Sequence, residues 1–173
     1  MIYLITGGVR SGKSRYAQNL ALSLSANPVY VATAHIWDDD FAERVQRHKD
    51  DRGAAWINYE EERKVSSLPL EGQTVVIDCV TLWLTNLFED SSHDITPAME
   101  TIQAEIDAIH HKAGTYIIVS NEIGMGIHGE TVVARKFADM QGWTNQYIAR
   151  LADTVILMVA GIPVIIKDEA GKR

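Results

Sequence analysis

The stretch that most constrains this chain is residues 7–14, GGVRSGKS, which satisfies the spacing G-x-x-x-x-G-K-[ST]. A short apolar run, residues 2–6, precedes it, and residues 13–24 follow with apolar side chains at helical spacing. Glycines let consecutive backbone N–H groups turn inward, and the start of a helix adds positive potential. This order of strand, loop and helix predicts a phosphate-binding loop rather than a chance glycine-rich turn.

Two side chains of this loop have expected chemical roles. Lys13 is predicted to be catalytic and to reach the β and γ phosphates of a nucleoside triphosphate, and the Ser14 hydroxyl is predicted to bind Mg²⁺. An acid at the end of a neighbouring apolar strand usually completes such a site, and residues 74–77 lead into Asp78. Asp78 is therefore the second predicted Mg²⁺ ligand; the alternative is a helix N-cap. The nucleotide-binding residues predicted in the loop are Gly7, Gly8, Val9, Arg10, Ser11, Gly12, Lys13 and Ser14.

The remaining apolar runs predict a doubly wound α/β fold with a mostly parallel sheet and helices on both faces. Runs at 29–33, 74–78, 116–120 and 154–159 are continuous rather than alternating, as in strands covered on both sides. Helical patterns at 38–51, 82–87, 96–112 and 131–151 alternate with them. Thr96 is the expected N-cap of its helix with Pro97 in the first helical position, and residues 161–163 suggest a turn into a last edge strand.

Length, charge and cysteine content limit the class of protein. A chain of 173 residues fits one domain, 1–173. The formal net charge of -7 disfavours nucleic acid as a partner. No apolar run approaches the ~20 residues of a transmembrane helix. With a lone Cys79 and no basic, apolar leader, the chain is expected in the cytoplasm, without a transmembrane segment.

A second unusual segment surrounds one histidine with cations. On a helix, Arg44, His48 and Arg52 lie at successive i, i+4 positions and share a face. A neutral imidazole there could attack the α-phosphorus of a nucleoside triphosphate, while the cations offset charge on the phosphates. From the residues alone, a solvated charged helix face is the more ordinary interpretation.

Taken in order along the chain, these motifs resemble the bifunctional adenosylcobinamide kinase/adenosylcobinamide-phosphate guanylyltransferase family of cobalamin biosynthesis. The resemblance runs nearly end to end, through TGGVRSGKSR at 6–15, VATA at 31–34, RHK at 47–49, LWLTNL at 82–87, VSNEIGMGI at 119–127, ARKF at 134–137 and GIP at 161–163. It implies a RecA-like P-loop fold and two reactions, the phosphorylation of adenosylcobinamide by ATP or GTP and the transfer of GMP from GTP to that phosphate.

The resemblance also implies roles for individual residues. It makes His48 the nucleophile that carries GMP, with Mg²⁺ as cofactor, and it implies a homo-oligomer, a trimer. Beyond the P-loop and Asp78, the residues it places against the nucleotide are Ala32, Thr33, Ala34, Lys49, Asp50, Asp51, Arg52 and Glu60. Two alternatives stay open: an enzyme with one of the two activities, and a regulatory P-loop ATPase.

Two smaller predictions concern the loop after the fourth strand and the tryptophans. Glu122, in the stretch NEIGMG at 121–126, is expected to position substrate or Mg²⁺; the alternative is that the glycines there only permit tight turns. Trp56, Trp83 and Trp143 are expected to be packing residues rather than platforms on which a corrin ring stacks.

Overall fold

The structure, a computed structural model, describes residues 1–35, 53–126 and 128–169. The strands in these ranges are β1 Ile2–Gly7, β2 Val29–Ala32, β3 Ile57–Glu60, β4 Thr74–Asp78, β5 Thr115–Val119, β6 Thr154–Val159 and β7 Ile162–Asp168. The helices are α1 Lys13–Leu24, α2 Val80–Asp90, α3 Ile95–His110 and α4 Val132–Leu151, with a 3-10 turn at Val65–Ser67.

The strands form one sheet in the order β3-β2-β4-β5-β1-β6-β7. All neighbouring pairs are parallel except β6 and β7, which run antiparallel at one edge. The predicted mostly parallel α/β sheet is confirmed. Parallel pairing brings the carboxyl ends of β3, β2, β4, β5 and β1 to a single edge of the sheet, where open α/β folds bind ligands.

Helices cover both faces of the sheet because the central strands are apolar on both sides. On one face, α1 buries Ala17 and Ala21 against a layer that includes Ile117. On the other face, α2, α3 and α4 bury a larger core that includes Trp83 and Ile106. The two layers fix the amino end of α1 against the carboxyl end of β1, and this junction is residues 8–12.

The predicted strands agree with the structure to within one residue at their ends, and α1 has the predicted bounds. The helix α4 begins one residue later than predicted, and α2 extends beyond the predicted 82–87 at both ends. The predicted start of α3 is wrong. Its N-cap is Asp94, whose Oδ1 accepts a hydrogen bond from Thr96 N–H at 3.1 Å, so Pro97 lies within the first turn rather than at its opening. The predicted helix at 38–51 lies outside the described residues.

Two further expectations concern exposure. The strand β3 was not predicted, since its residues are mostly exposed at the edge of the sheet and make no apolar run. Trp56 and Trp83 are buried, whereas Trp143 on α4 is 49% exposed. None of the helices in the described ranges is long and apolar enough to cross a bilayer.

Candidate functional site

The predicted phosphate loop has a backbone that requires glycine at two positions. Gly7 has φ 144° and Gly12 has φ 94°, conformations that L side chains rarely adopt. A Cβ added to Gly7 would lie 2.5 Å from the backbone oxygen of Met158, and one added to Gly12 would lie 3.4 Å from Cα of Gly161. The motif's glycines therefore let the loop pass close to the end of β6.

The same loop leaves the amino end of α1 open toward the sheet edge. Gly12 is the N-cap, no side chain caps the first turn, and no acidic residue lies in it. Uncapped first-turn N–H groups and the helix dipole favour an anion at this point. The Ser11 hydroxyl is buried and has no hydrogen-bond partner among the described residues. The arrangement suits a phosphate group, which would satisfy several of these donors at once.

Lys13 places a cation beside this phosphate loop, in the first turn of α1. The residue is only 7% exposed, and its Nζ donates a hydrogen bond to the Gly8 carbonyl at 2.7 Å. A buried ammonium is costly unless polar groups surround it, so its position beside the loop carbonyl indicates a cation held for an anionic ligand.

Asp78 ends β4 at the same sheet edge, with β5 between its strand and β1. Its Oδ2 accepts a hydrogen bond from the Tyr30 hydroxyl at 2.8 Å. The alternative role as a helix N-cap is wrong, because Cys79 is the N-cap of α2 and no side chain caps that helix. The sequence does not predict this role of Tyr30, because nothing in its local pattern indicates that its phenol reaches Asp78.

The pKa of the buried Cys79 thiol responds to the charges of both Asp78 and Lys13. Burial and the negative charge of Asp78 raise the pKa of this thiol to about 12, although the positive charge of Lys13 acts to lower it. Both charges therefore act on the same buried sulfur. The Ser14 hydroxyl and the Asp78 carboxylate are hard oxygen donors of the kind Mg²⁺ prefers, so the residues present fit that ion.

Residues 32–34 are fixed to the end of β4. The Thr33 hydroxyl donates to the Cys79 carbonyl at 2.7 Å and accepts from Cys79 N–H at 2.9 Å. The Thr33 carbonyl accepts a 2.9 Å hydrogen bond from the buried amide of Asn86. The side chain of Thr33 thus holds the loop, while Ala32 and Ala34 are half-buried beside it.

The nucleotide-binding candidates that the structure describes lie along one edge of the sheet, but not all of them lie close together. Ala32 pairs with Asp78 on one side and with Glu60 on the other. Glu60 is exposed, and its strand lies four strand spacings, about 19 Å, from β1. The remaining candidates, His48, Lys49, Asp50, Asp51 and Arg52, lie outside the described residues.

A buried polar cluster that the sequence patterns did not indicate supports the loop after β5. Gln141 is fully buried and donates from Nε2 to Ser120 Oγ at 3.0 Å and to Asn145 Oδ1 at 3.1 Å. Asn145 donates to the Asn121 carbonyl at 3.0 Å. These polar side chains on the inner face of α4 connect the helix to the loop after β5.

Comparison with known proteins supplies the family. The profile described as cobinamide kinase / cobinamide phosphate guanyltransferase matches residues 3–166. The bifunctional adenosylcobalamin biosynthesis protein CobU of Escherichia coli (strain K12) is 38% identical, with 96% of this chain and 100% of that protein covered. The corresponding protein CobP of Pseudomonas aeruginosa is 35% identical, with 96% and 97% covered.

The chain belongs to the cobinamide kinase / cobinamide phosphate guanyltransferase family. The predicted family is thus confirmed, as is the prediction of an enzyme. At this level its function is that of a bifunctional cobinamide kinase and guanyltransferase of cobalamin biosynthesis.

Solved structures confirm the fold of this family member. An ATPase of the type III secretion system of pathogenic bacteria superposes with a TM-score of 0.54 at 12% identity, covering 90% of this chain and 50% of that one. A protein from Pyrococcus horikoshii OT3 gives 0.52 at 10% identity, covering 99% and 88%. Similarity at this level of identity shows the P-loop α/β fold and nothing about substrates.

Proposed function

We propose that the chain phosphorylates the terminal hydroxyl of adenosylcobinamide with ATP or GTP, and then transfers GMP from GTP to that phosphate, giving adenosylcobinamide-GDP and pyrophosphate. The observation that carries the proposal is the buried Lys13 in an uncapped glycine loop, on the same sheet edge as Asp78. Family membership supplies the acceptor, because the family and its relatives are named for cobinamide and adenosylcobalamin.

In the kinase step, residues 7–14 hold the triphosphate. Backbone N–H groups of the loop and the start of α1 bind phosphate oxygens, and Lys13 exchanges its hydrogen bond with the Gly8 carbonyl for one with the β and γ phosphates. The acceptor oxygen bonds to the γ-phosphorus, and the bond from that phosphorus to the bridging oxygen breaks, releasing the nucleoside diphosphate. Electrostatic stabilisation of the transferred group is the main contribution of the loop.

We assign the Mg²⁺ of this reaction to Ser14 and Asp78. Both present oxygen donors near the loop, and Tyr30 orients the Asp78 carboxylate through its hydrogen bond to Oδ2. When bound, Mg²⁺ supplies charge neutralisation to the phosphates.

In the guanylyl transfer, we propose His48 as nucleophile. A neutral ring nitrogen attacks the α-phosphorus of GTP and pyrophosphate leaves; the acceptor's phosphate oxygen then displaces the imidazole. The two steps let GMP wait on the protein for a bulky acceptor. Lys49, Asp50, Asp51, Arg52, Glu60 and residues 32–34 are the proposed contacts of the GTP in this reaction.

GTP labelled in its α-phosphate tests the intermediate. The native chain should form an acid-labile, alkali-stable protein adduct, and His48→Ala should form none. His111→Ala is the matched control, because His111 is exposed at the far end of α3. An adduct that survives His48→Ala, or no adduct in the native chain, contradicts the covalent route.

Lys13→Met tests the kinase step. Loss of the cation should lower the rate of adenosylcobinamide phosphate formation by about 10²- to 10³-fold, as for other preorganised electrostatic groups. Lys64→Met, on an exposed lysine, is the control. Products are identified by mass spectrometry with ATP and GTP in parallel. Nucleotide turnover without phosphate transfer would instead favour a regulatory ATPase.

We also propose that the protein works as a homo-oligomer, a trimer. An exposed apolar surface on β7 supports association: Ile162, Ile165 and Ile166 are 65%, 62% and 60% exposed. Light scattering of the native protein should give a mass equal to that of three chains, and Ile165→Lys should reduce this mass. Leu22→Lys, at an exposed apolar residue of α1, is the control. A native chain of one mass contradicts the proposal.

A further inference from the structure

We propose that Glu122 is a catalytic residue of the kinase step, where its carboxylate accepts the proton of the acceptor's hydroxyl, and that the apolar hollow beside it admits the acceptor's alcohol arm. This inference rests on the proposed function, because it requires phosphoryl transfer to an alcohol.

The position of Glu122 in the sheet is the first support. It follows β5, which lies between β1, the strand leading into the phosphate loop, and β4, the strand ending in Asp78. Its backbone N–H donates a hydrogen bond to the Gly7 carbonyl at 3.0 Å. Glu122 is therefore attached directly to the first glycine of the loop that would hold the γ-phosphate.

The carboxylate is oriented by its own loop. Glu122 Oε1 accepts a hydrogen bond from Gly124 N–H at 2.7 Å, and the side chain is half-buried. Oε2 accepts no hydrogen bond from any residue that the structure describes. One oxygen thus fixes the orientation of the group while the other can accept a proton, which is the arrangement general-base catalysis requires.

The backbone before Glu122 is held in place from two directions. The Asn121 carbonyl accepts a hydrogen bond from Asn145 at 3.0 Å, and Asn121 N–H donates to the Thr81 hydroxyl at 3.2 Å. Gln141 in turn fixes Asn145 from the buried side of α4. A catalytic group needs such support, because small misplacements cost large factors in rate.

The space that Glu122 faces suits an uncharged alcohol. A hollow of about 290 Å³ is lined by Glu122, Gly8, Ser11, Met125 and residues 157–160, and Glu122 is the one ionisable side chain in this lining. Met125, which lines this hollow, is 80% exposed. Apolar walls favour an aliphatic arm over a second phosphate, and the hollow opens beside the loop that carries the phosphoryl donor.

The hydroxyl oxygen of the acceptor forms a bond to the γ-phosphorus, its proton passes to Glu122 Oε2, and the bond between the γ-phosphorus and the bridging oxygen breaks. The nucleoside diphosphate leaves, and the proton then returns to solvent from the Glu122 carboxyl group.

The test is Glu122→Gln, measured separately in the two reactions. With adenosylcobinamide and nucleotide, kcat for phosphate formation should fall by about 10²- to 10⁴-fold, the usual contribution of general-base catalysis, with KM for the nucleotide little changed. With adenosylcobinamide phosphate supplied directly, GMP transfer should continue at the native rate. Glu130→Gln, which alters an exposed carboxylate just before α4, should change neither reaction.

The outcomes separate this inference from the proposed function. A native protein that makes no adenosylcobinamide phosphate contradicts the proposed function itself. A native protein that makes it while Glu122→Gln keeps full kcat overturns the inference alone. Equal loss of both reactions, or a kinase rate restored by raising the Mg²⁺ concentration, would assign Glu122 to folding or metal binding and also overturn the inference.

Discussion

Replacing Gly7 by alanine should disrupt the phosphate loop at its first residue. The new Cβ would lie 2.5 Å from the backbone oxygen of Met158, which pairs with Gly7 across β1 and β6. Neither partner can yield by rotating a side chain, because the close atom belongs to the backbone. Either the two strands separate or the loop moves.

The cost follows from the backbone angle and the clash. A φ of 144° is strained for any residue other than glycine, at about 1–3 kcal/mol, and overpacking adds about 1–3 kcal/mol. Gly7→Ala should therefore lower the free energy of unfolding by about 2–6 kcal/mol. A shift of the loop that relieves part of this strain would misplace the N–H groups, so nucleotide affinity should fall as well.

Urea denaturation measures the free energy of unfolding, and the rise in Tm on adding GTP measures nucleotide binding. Gly8→Ala is the control for stability, because a Cβ at Gly8 meets nothing within 4 Å. Its free energy of unfolding should stay within about 1 kcal/mol of the native value. If Gly7→Ala were as stable as Gly8→Ala and kept the native Tm rise, the account of this loop would be wrong.

Three other changes probe the structure around the site. Because burial raises the pKa of Cys79 to about 12, the thiol should resist alkylation at pH 8 until urea unfolds the chain. The unfolded thiol ionises near pH 8.5, so the stabilisation from this group should be present below that pH and lost as the pH rises toward 12. In urea titrations this decrease in the free energy of unfolding with pH should be absent from Cys79→Ser. Rapid alkylation of the folded protein would contradict the raised pKa and the pH dependence that follows from it. Gly142 lies inside α4, and a Cβ added there would meet nothing within 4 Å. Gly142→Ala should therefore raise the free energy of unfolding by about 0.5–1 kcal/mol, and a lower Tm would refute this. Asn86→Ala removes the donor to the Thr33 and Glu62 carbonyls, so calorimetry should show that the free energy of unfolding falls by about 2–4 kcal/mol. An unchanged Tm would contradict this prediction.

The central strands could be predicted from sequence because both of their faces are buried. Residues 74–78 are apolar up to Asp78 and form β4 with those bounds. The strand β3 could not be predicted in this way, since an edge strand with exposed side chains carries no apolar run. Asp94 rather than Thr96 is the N-cap, because its carboxylate accepts a hydrogen bond from the N–H of Thr96 in the first turn.

The site was predictable where chemistry follows local spacing. The glycines, Lys13 and Ser14 are set by a motif eight residues long, and Asp78 by its strand. The contacts that orient these groups are set by tertiary approach. Tyr30 reaches Asp78 across two paired strands, and Asn86 reaches Thr33 from another helix, so no local pattern reveals either contact.

The pairing of β1 has a consequence for how the protein is made. This strand aligns Ile2 with Tyr116 and Tyr3 with Thr154, so both of its partner strands are synthesised long after it. The chain must lose the entropy of closing loops of that length before these contacts stabilise it, so such pairings form slowly. We therefore expect the phosphate loop to acquire its shape only after β6 has been synthesised.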